Sequence, residues 1–167
     1  MFIGISGTHG TGKTTFMYKL AHDMKIRHGG KRIKLLSEVA RSCPFGIFGK
    51  QGTTSSIDAQ LWIFASQMQA ELTAKPTDVI ISDRTIYDTI AYTMEVDEDL
   101  AAEMLGLAQY LVYDLVYFVR PSDESWCVDD GDRSLDFKLR DRIDDNLQKL
   151  LYSNINNVKE IVIKKMN

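Results

Sequence analysis

Two rhythms of apolar residues alternate along this chain. Short apolar runs are each followed by a longer stretch whose apolar residues recur at helical spacing. The first run, Met1-Phe2-Ile3-Gly4-Ile5, predicts a strand, and Phe16, Leu20 and Met24 behind it predict a helix packed on one face. Gly29-Gly30 stops that helix. Arg32-Ile33-Lys34-Leu35-Leu36 reads as a second strand, and its basic–apolar alternation places it near a sheet edge. Ser42 to Ser56 is a loop carrying Cys43-Pro44, Gly46, Gly49 and Gly52. Its aromatics, Phe45 and Phe48, are expected to pin it to the core rather than to cover a planar substrate.

Ser55-Ser56-Ile57-Asp58 is a capped helix start, after which Ile57, Leu61, Phe64, Met68 and Leu72 form an apolar stripe. Trp62, Gln60 and Gln67 share this helix, where glutamines are ordinarily solvated, and Lys75-Pro76 ends it. Asp78-Val79-Ile80-Ile81-Ser82-Asp83 is a buried strand ending in a carboxylate. Tyr87 to Met94 reads as helix, and Asp97-Glu98-Asp99 opens another with apolar positions Leu100, Met104, Leu107, Ala108 and Leu111. Tyr92, Tyr110 and Tyr113 read as packing residues. Leu115 to Val119 is a fourth strand, ended by Arg120-Pro121. An acidic, irregular stretch from Ser122 to Ser134 precedes a helix defined by Leu135, Leu139, Ile143, Leu147 and Leu151, and Val158 to Ile163 is a fifth strand. Strands alternating with helices predict an α/β fold, a three-layer α/β/α sandwich around a five-stranded, mostly parallel sheet. Ligands of such sheets bind outside the carboxyl ends of the strands.

A length of 167 residues and an apolar share of 44% suit a single domain spanning 1–167 with one core. Cys43 and Cys127 lie far apart without metal spacing and read as reduced thiols of a cytoplasmic protein. No apolar run reaches the length of a membrane span, and the N-terminus enters a strand directly, so neither an anchor nor a leader is expected.

Between the first strand and the first helix stands Gly7-Thr8-His9-Gly10-Thr11-Gly12-Lys13-Thr14-Thr15, which fits G-x-x-x-x-G-K-[ST] in the strand–turn–helix context that a phosphate-binding loop requires. Glycines let the backbone curl around one anion, and the helix N-terminus adds partial positive charge. Lys13 can reach the β- and γ-phosphates, and the Thr14 hydroxyl can ligate Mg²⁺. The spacing departs from the dinucleotide fingerprint G-x-G-x-x-G, which favours ATP or GTP over NAD. Asp83, at the end of a buried strand, is the expected second Mg²⁺ group, and Arg84 beside it can pair with Asp83 or meet a substrate phosphate. Glu38 and Arg41 stand just past the second strand, where they are either chemistry or a solvated pair one helical turn apart. Arg133 lies at the end of the acidic stretch and Arg140 and Arg142 follow it, in a lid region at about 121–142, and arginine suits bidentate phosphate contact.

In this order Gly7–Thr14, Glu38-Val-Ala-Arg41, Val79 to Thr85 with Asp88-Thr89, and Asp130-Gly131-Asp132-Arg133 resemble the small P-loop kinases. The chain is most similar to the family that includes the ribosylnicotinamide kinase domain of the bacterial NAD regulator and stand-alone bacterial and bacteriophage proteins. It resembles the deoxynucleoside kinases more distantly. The resemblance covers nearly the whole chain and implies phosphoryl transfer from ATP to a nucleoside, nucleotide or similar small acceptor. It further implies Glu38 as general base, Asp83-Arg84 as the acid–arginine pair, Gln60 as a base-reading glutamine, and Arg133, Arg140 and Arg142 as lid arginines.

Two other classes compete. A kinase acting on a hydroxyl of DNA or RNA would need a basic track, and a net charge of −3 with an acidic lid disfavours one. A nucleotide-dependent switch would need the loop but neither Glu38 nor the lid arginines. A homodimer is left open.

Overall fold

The computed structural model describes residues 1–45, 55–121 and 137–163. Five strands, β1 (Phe2–Ser6), β2 (Ile33–Leu36), β3 (Val79–Asp83), β4 (Leu115–Arg120) and β5 (Val158–Val162), form one sheet in the order β2-β3-β1-β4-β5. Every pairing is parallel, so among the described residues the sheet is parallel throughout rather than mostly so. Each crossover carries helix: α1 (Lys13–Arg27), α2 (Ile57–Ala74), α3 (Ile86–Thr93) with α4 (Glu98–Ala108), and α5 (Phe137–Asn154). A short 3₁₀ turn, Val39–Ser42, follows β2. The predicted α/β/α layering and the edge position of β2 are both present.

Successive strand residues point to opposite layers. On β3, Val79 and Ile81 face the α1 layer, joining Ile5, Met17 and Val119, while Ile80 faces the other side. That second side holds the larger core, with Phe64 of α2, Ile86 and Ile90 of α3, Met104 of α4 and Leu147 of α5. Because α3 packs against α2, α4 and α5, it is buried on nearly every face. On α5 the predicted positions Leu139, Ile143, Leu147 and Leu151 are all buried, whereas Leu135 lies outside the described residues.

The stripe on α2 is a correction. Of its predicted positions Phe64 is buried and Met68 packs against the core, but Ile57, Leu61 and Leu72 remain 45%, 45% and 42% exposed, and Gln60, Ile63, Gln67, Glu71 and Ala74 complete the buried face. Those polar residues can turn inward because the neighbouring elements offer hydrogen-bond partners, which a solvated surface is not needed to supply. Leu107 of α4 and Phe45 of the loop, at 50% and 45% exposure, are likewise turned outward, so Phe45 does not pin its loop to the core. Phe48 and Cys127 lie outside the described residues, as does the whole acidic stretch Ser122 to Ser134. No helix among the described residues is long and apolar enough to cross a membrane.

Candidate active site

β1 is the middle strand, and the glycine loop leaves its carboxyl end between β3 and β4 before entering α1. Gly7, Gly10 and Gly12 take φ of 148°, 68° and 82°, values that side chains resist. At Gly7 a Cβ would also stand 2.4 Å from the Val119 carbonyl oxygen, so backbone crowding and dihedral both demand glycine. Gly12 caps α1 without a side-chain hydrogen bond, and the first turn carries no acid. The helix's positive end is therefore left to an anion. Inside the curve the Thr8 carbonyl accepts Lys13 Nζ at 2.5 Å and Thr11 Oγ1 at 3.0 Å. Lys13 is 6% exposed. Burial, aided by nearby Arg84, lowers its ammonium to about 8 against the opposing pull of Glu38, Asp88 and Asp83.

A pocket opens over this loop, lined by residues 9–15 together with Glu38, Asp83 and Arg84. It thus gathers His9, Gly10, Thr11, Gly12, Lys13, Thr14 and Thr15 of the loop, while Gly7 and the fully buried Thr8 lie beneath it. Thr14 Oγ1 donates to Asp83 Oδ2 at 2.5 Å, which brings the two expected magnesium groups into contact. Glu38, the residue before the 3₁₀ turn, accepts Arg84 Nε at 2.5 Å on one oxygen and Arg41 Nε at 3.0 Å on the other. Burial pushes the Glu38 carboxyl upward, but Arg84, Lys13 and Arg41 outweigh it and hold the group at about 2. The Glu38–Arg41 pair foreseen from spacing exists, and its acid faces the pocket rather than open solvent.

Arg84 is the junction of the site. It has φ 87°, the one positive value among non-glycine residues described, and such strain persists only where the surroundings over-determine it. Its Nη1 donates to the Gly7 carbonyl at 3.3 Å and to Asp88 Oδ1 at 3.4 Å, and its guanidinium lies 5.5 Å from the centre of the Tyr92 ring. Paired carboxylates drive its guanidinium still further toward the charged form, against the opposing effect of burial.

Sequence reasoning missed the work of Asp88. Its Oδ2 accepts the Thr85 amide and hydroxyl, both at 2.8 Å, in a capping box that starts α3, and its Oδ1 accepts the Gly7 amide at 3.0 Å. Thr85 followed three residues later by an acid was the available signal. Tyr92 packs against the core as expected, and its hydroxyl also lies 3.1 Å from His9 Nδ1.

Among the described residues, Gln60, Arg140 and Arg142 do not line the pocket. Gln60 is 3% exposed and turned into the protein, with Nε2 donating to Ser55 Oγ at 2.7 Å and Oε1 accepting Thr93 Oγ1 at 3.3 Å. Its amide is used within the fold, and it does not line the pocket. Arg140 is buried on α5 with its guanidinium 5.0 Å from the Phe137 ring centre. Arg142 pairs with Glu95 Oε2 at 2.7 Å on the surface. Arg133 lies outside the described residues.

Residues 2–165 match the family described as the AAA domain, and the chain belongs to that family. No curated protein matches the sequence. Thymidylate kinase from Ehrlichia chaffeensis has a similar structure, with a TM-score of 0.68 and 22% identity over 99% of this chain and 88% of that one. Deoxyadenosine kinase from M. mycoides with bound dATP gives 0.65 and 21% over 98% of this chain and 90% of that one. The same enzyme with products dCMP and dCDP gives 0.62 and 19%, again over 98% and 90%. At these identities the likeness shows a shared fold.

Proposed function

We propose that this AAA-domain chain is one catalytic unit, spanning 1–167, that transfers the γ-phosphate of ATP or GTP to a nucleoside, nucleotide or similar small acceptor. The observation that carries the reading is that Glu38 and Arg84 line the same pocket as Lys13 and Thr14. A carboxylate has no attractive business with nucleotide phosphates. Its presence across that pocket makes sense when it faces an acceptor hydroxyl. The thymidylate and deoxyadenosine kinases that share this fold support a nucleoside or nucleotide acceptor by analogy.

In this reading the glycine loop and the start of α1 bind the phosphates, and Lys13 neutralises charge on the group in transit. Thr14 and Asp83 would hold Mg²⁺, a cation that takes hard oxygen donors and keeps several waters, and a hydroxyl beside a carboxylate fits that preference. Bound there, Mg²⁺ supplies charge neutralisation on the phosphate oxygens. Arg84 and Arg41 fix the Glu38 carboxylate from both sides. Held at about 2, Glu38 is a weak base but a firm hydrogen-bond acceptor. It would orient the hydroxyl and take its proton late, once the loose transition state has formed.

The test is a γ-phosphate transfer screen against nucleosides, nucleoside monophosphates, ribosylnicotinamide and short oligonucleotides. Transfer to a small acceptor that falls at least ~10²-fold in Lys13→Ala supports the reading. Glu38→Gln should keep nucleotide binding and lose roughly 10²-fold in transfer, the scale of a lost proton acceptor. Nucleotide binding with no transfer to any acceptor would return the chain to the switch reading, and transfer to oligonucleotides alone would identify a nucleic-acid kinase.

A further inference from the structure

Glu71 on α2 does not line the pocket and is 0% exposed. A carboxylate is an expensive group to bury, and simple packing at this position would be served by leucine or methionine. Its oxygens are instead fully engaged. The Tyr113 hydroxyl donates to the carboxylate, lying 2.8 and 2.6 Å from its two oxygens, and Gln67 Nε2 donates to Oε1 at 2.7 Å.

Both donors continue to the same piece of backbone. Gln67 Nε2 lies 3.1 Å from Ser82 Oγ and 3.4 Å from the Arg84 carbonyl oxygen. The Ile86 amide donates to the Tyr113 hydroxyl at 2.9 Å. One arm therefore reaches residue 84 and the other residue 86, on either side of the turn from β3 to α3. This is the turn in which Arg84 is held at φ 87°. Gly4 of β1 makes room for it, since a Cβ there would stand 2.4 Å from Thr85 Cγ2 and 3.2 Å from Tyr113 Cδ1. The turn is thus fixed by these two side-chain arms and by close packing against β1, beside the Asp88 capping box on Thr85 and the Arg84 amide donating to the Ile5 carbonyl at 2.9 Å.

We propose that Glu71 is a positioning residue that, through Gln67 and Tyr113, holds the β3–α3 turn in the conformation that directs Arg84 onto Glu38. A single carboxylate can accept from both arms at once, which an apolar side chain of the same volume cannot. With the arms slack, Arg84 would relax from its left-handed conformation and its pairing with Glu38 would loosen. The proposal rests on the phosphotransfer reading only for the use to which the Glu38–Arg84 pair is put.

The experiment follows the Arg84 Nε–H resonance in ¹H–¹⁵N spectra, assigned by its loss in Arg84→Lys, alongside ATP·Mg binding and thermal unfolding. In Glu71→Leu the exchange of that Nε–H with water should quicken at least ~10-fold, because its protecting pair opens more often. Glu71→Gln, which can still accept through its oxygen, should stay within ~3-fold of wild type. ATP·Mg affinity should change less than ~3-fold in either, since these arms meet the glycine loop only through the 3.3 Å contact of Arg84 Nη1 with the Gly7 carbonyl. If Glu71→Leu does not fold, Tyr113→Phe, which cuts only the arm to Ile86, should give an intermediate quickening. An unchanged Arg84 resonance in a folded Glu71→Leu, or in Tyr113→Phe where that variant stands in, overturns the proposal, and a lowered melting temperature alone would then mark Glu71 as packing. A resonance that responds as expected in a protein that phosphorylates no acceptor upholds the positioning role and removes the phosphotransfer reading.

Discussion

Glu71→Gln should leave the protein nearly as stable as wild type at pH 4.5 and make it more stable by about 3 kcal/mol at pH 8. In the fold, burial pushes the Glu71 carboxyl from 4.5 up to about 7, against hydrogen bonds from Tyr113 and Gln67 that pull it down. Asp88 on α3 adds to the upward push and Lys75 past the end of α2 opposes it. Tyr113, itself raised well above 10 chiefly by burial, stays neutral throughout this window, as does Tyr87, raised for the same reason. An acid whose folded value is raised binds its proton more tightly folded than unfolded. Its full stability is present below 4.5 and declines as pH rises through 7. That interval, at about 1.36 kcal/mol for each pH unit, amounts to about 3 kcal/mol. Glutamine keeps the shape and never acquires the buried charge, so the decline attributable to this side chain should vanish. Glu38 titrates outside the window, because its carboxyl is held at about 2 and its contribution is lost only as pH falls from 4.5 toward that value. Asp144, raised to about 6 mainly by burial, gives both proteins the same slope and cancels in their difference. Urea unfolding of both proteins from pH 4.5 to 8.5 measures the effect, with equal denaturant slopes as the sign that two-state behaviour is kept. A stability difference that does not change with pH would refute the reasoning, since it would mean that Glu71 carries the same charge state folded and unfolded.

Other outcomes follow from the same geometry. Asp83→Asn keeps the contact with Thr14 but removes its charge, so phosphoryl transfer should need roughly tenfold more Mg²⁺ for half-maximal rate, read from a magnesium titration. An unchanged titration would make Asp83 a structural residue. Gly7→Ala places a Cβ 2.4 Å from the Val119 carbonyl in a dihedral region that alanine resists, and denaturant unfolding should show a loss of about 2 kcal/mol or more. Arg142→Ala breaks a surface pair with Glu95 in which the arginine is 54% exposed, and it should alter stability by less than ~1 kcal/mol and leave transfer nearly unchanged. A large fall in kcat would restore Arg142 to the lid.

The layering, the glycine loop and the placement of Thr14 and Asp83 at one strand-end site were legible in the sequence. These rest on local physics. A helix period, a β-branched run or a glycine at a positive dihedral is written into a few consecutive residues, so strands β1 and β3, helix α1 and the contact pair Thr14–Asp83 could be foreseen from Gly7–Thr14 and Val79–Asp83. Which face of α2 turns inward depends on the elements packed against it. Of the expected apolar stripe only Phe64 and Met68 reach the core, while Ile57, Leu61 and Leu72 stay outside and Gln60, Gln67 and Glu71 go in. Burying those polar groups is tolerable because Ser55 just before the helix and Ser82, Thr93 and Tyr113, 15 to 42 residues away in the chain, satisfy them. The same holds at the site. Glu38 and Arg84 are 46 residues apart, and spacing could place each at a strand end but could not pair them. Their pairing depends on β2 lying next to β3 and on the left-handed Arg84 between them and α3, and both are properties of the assembled sheet rather than of any stretch of sequence.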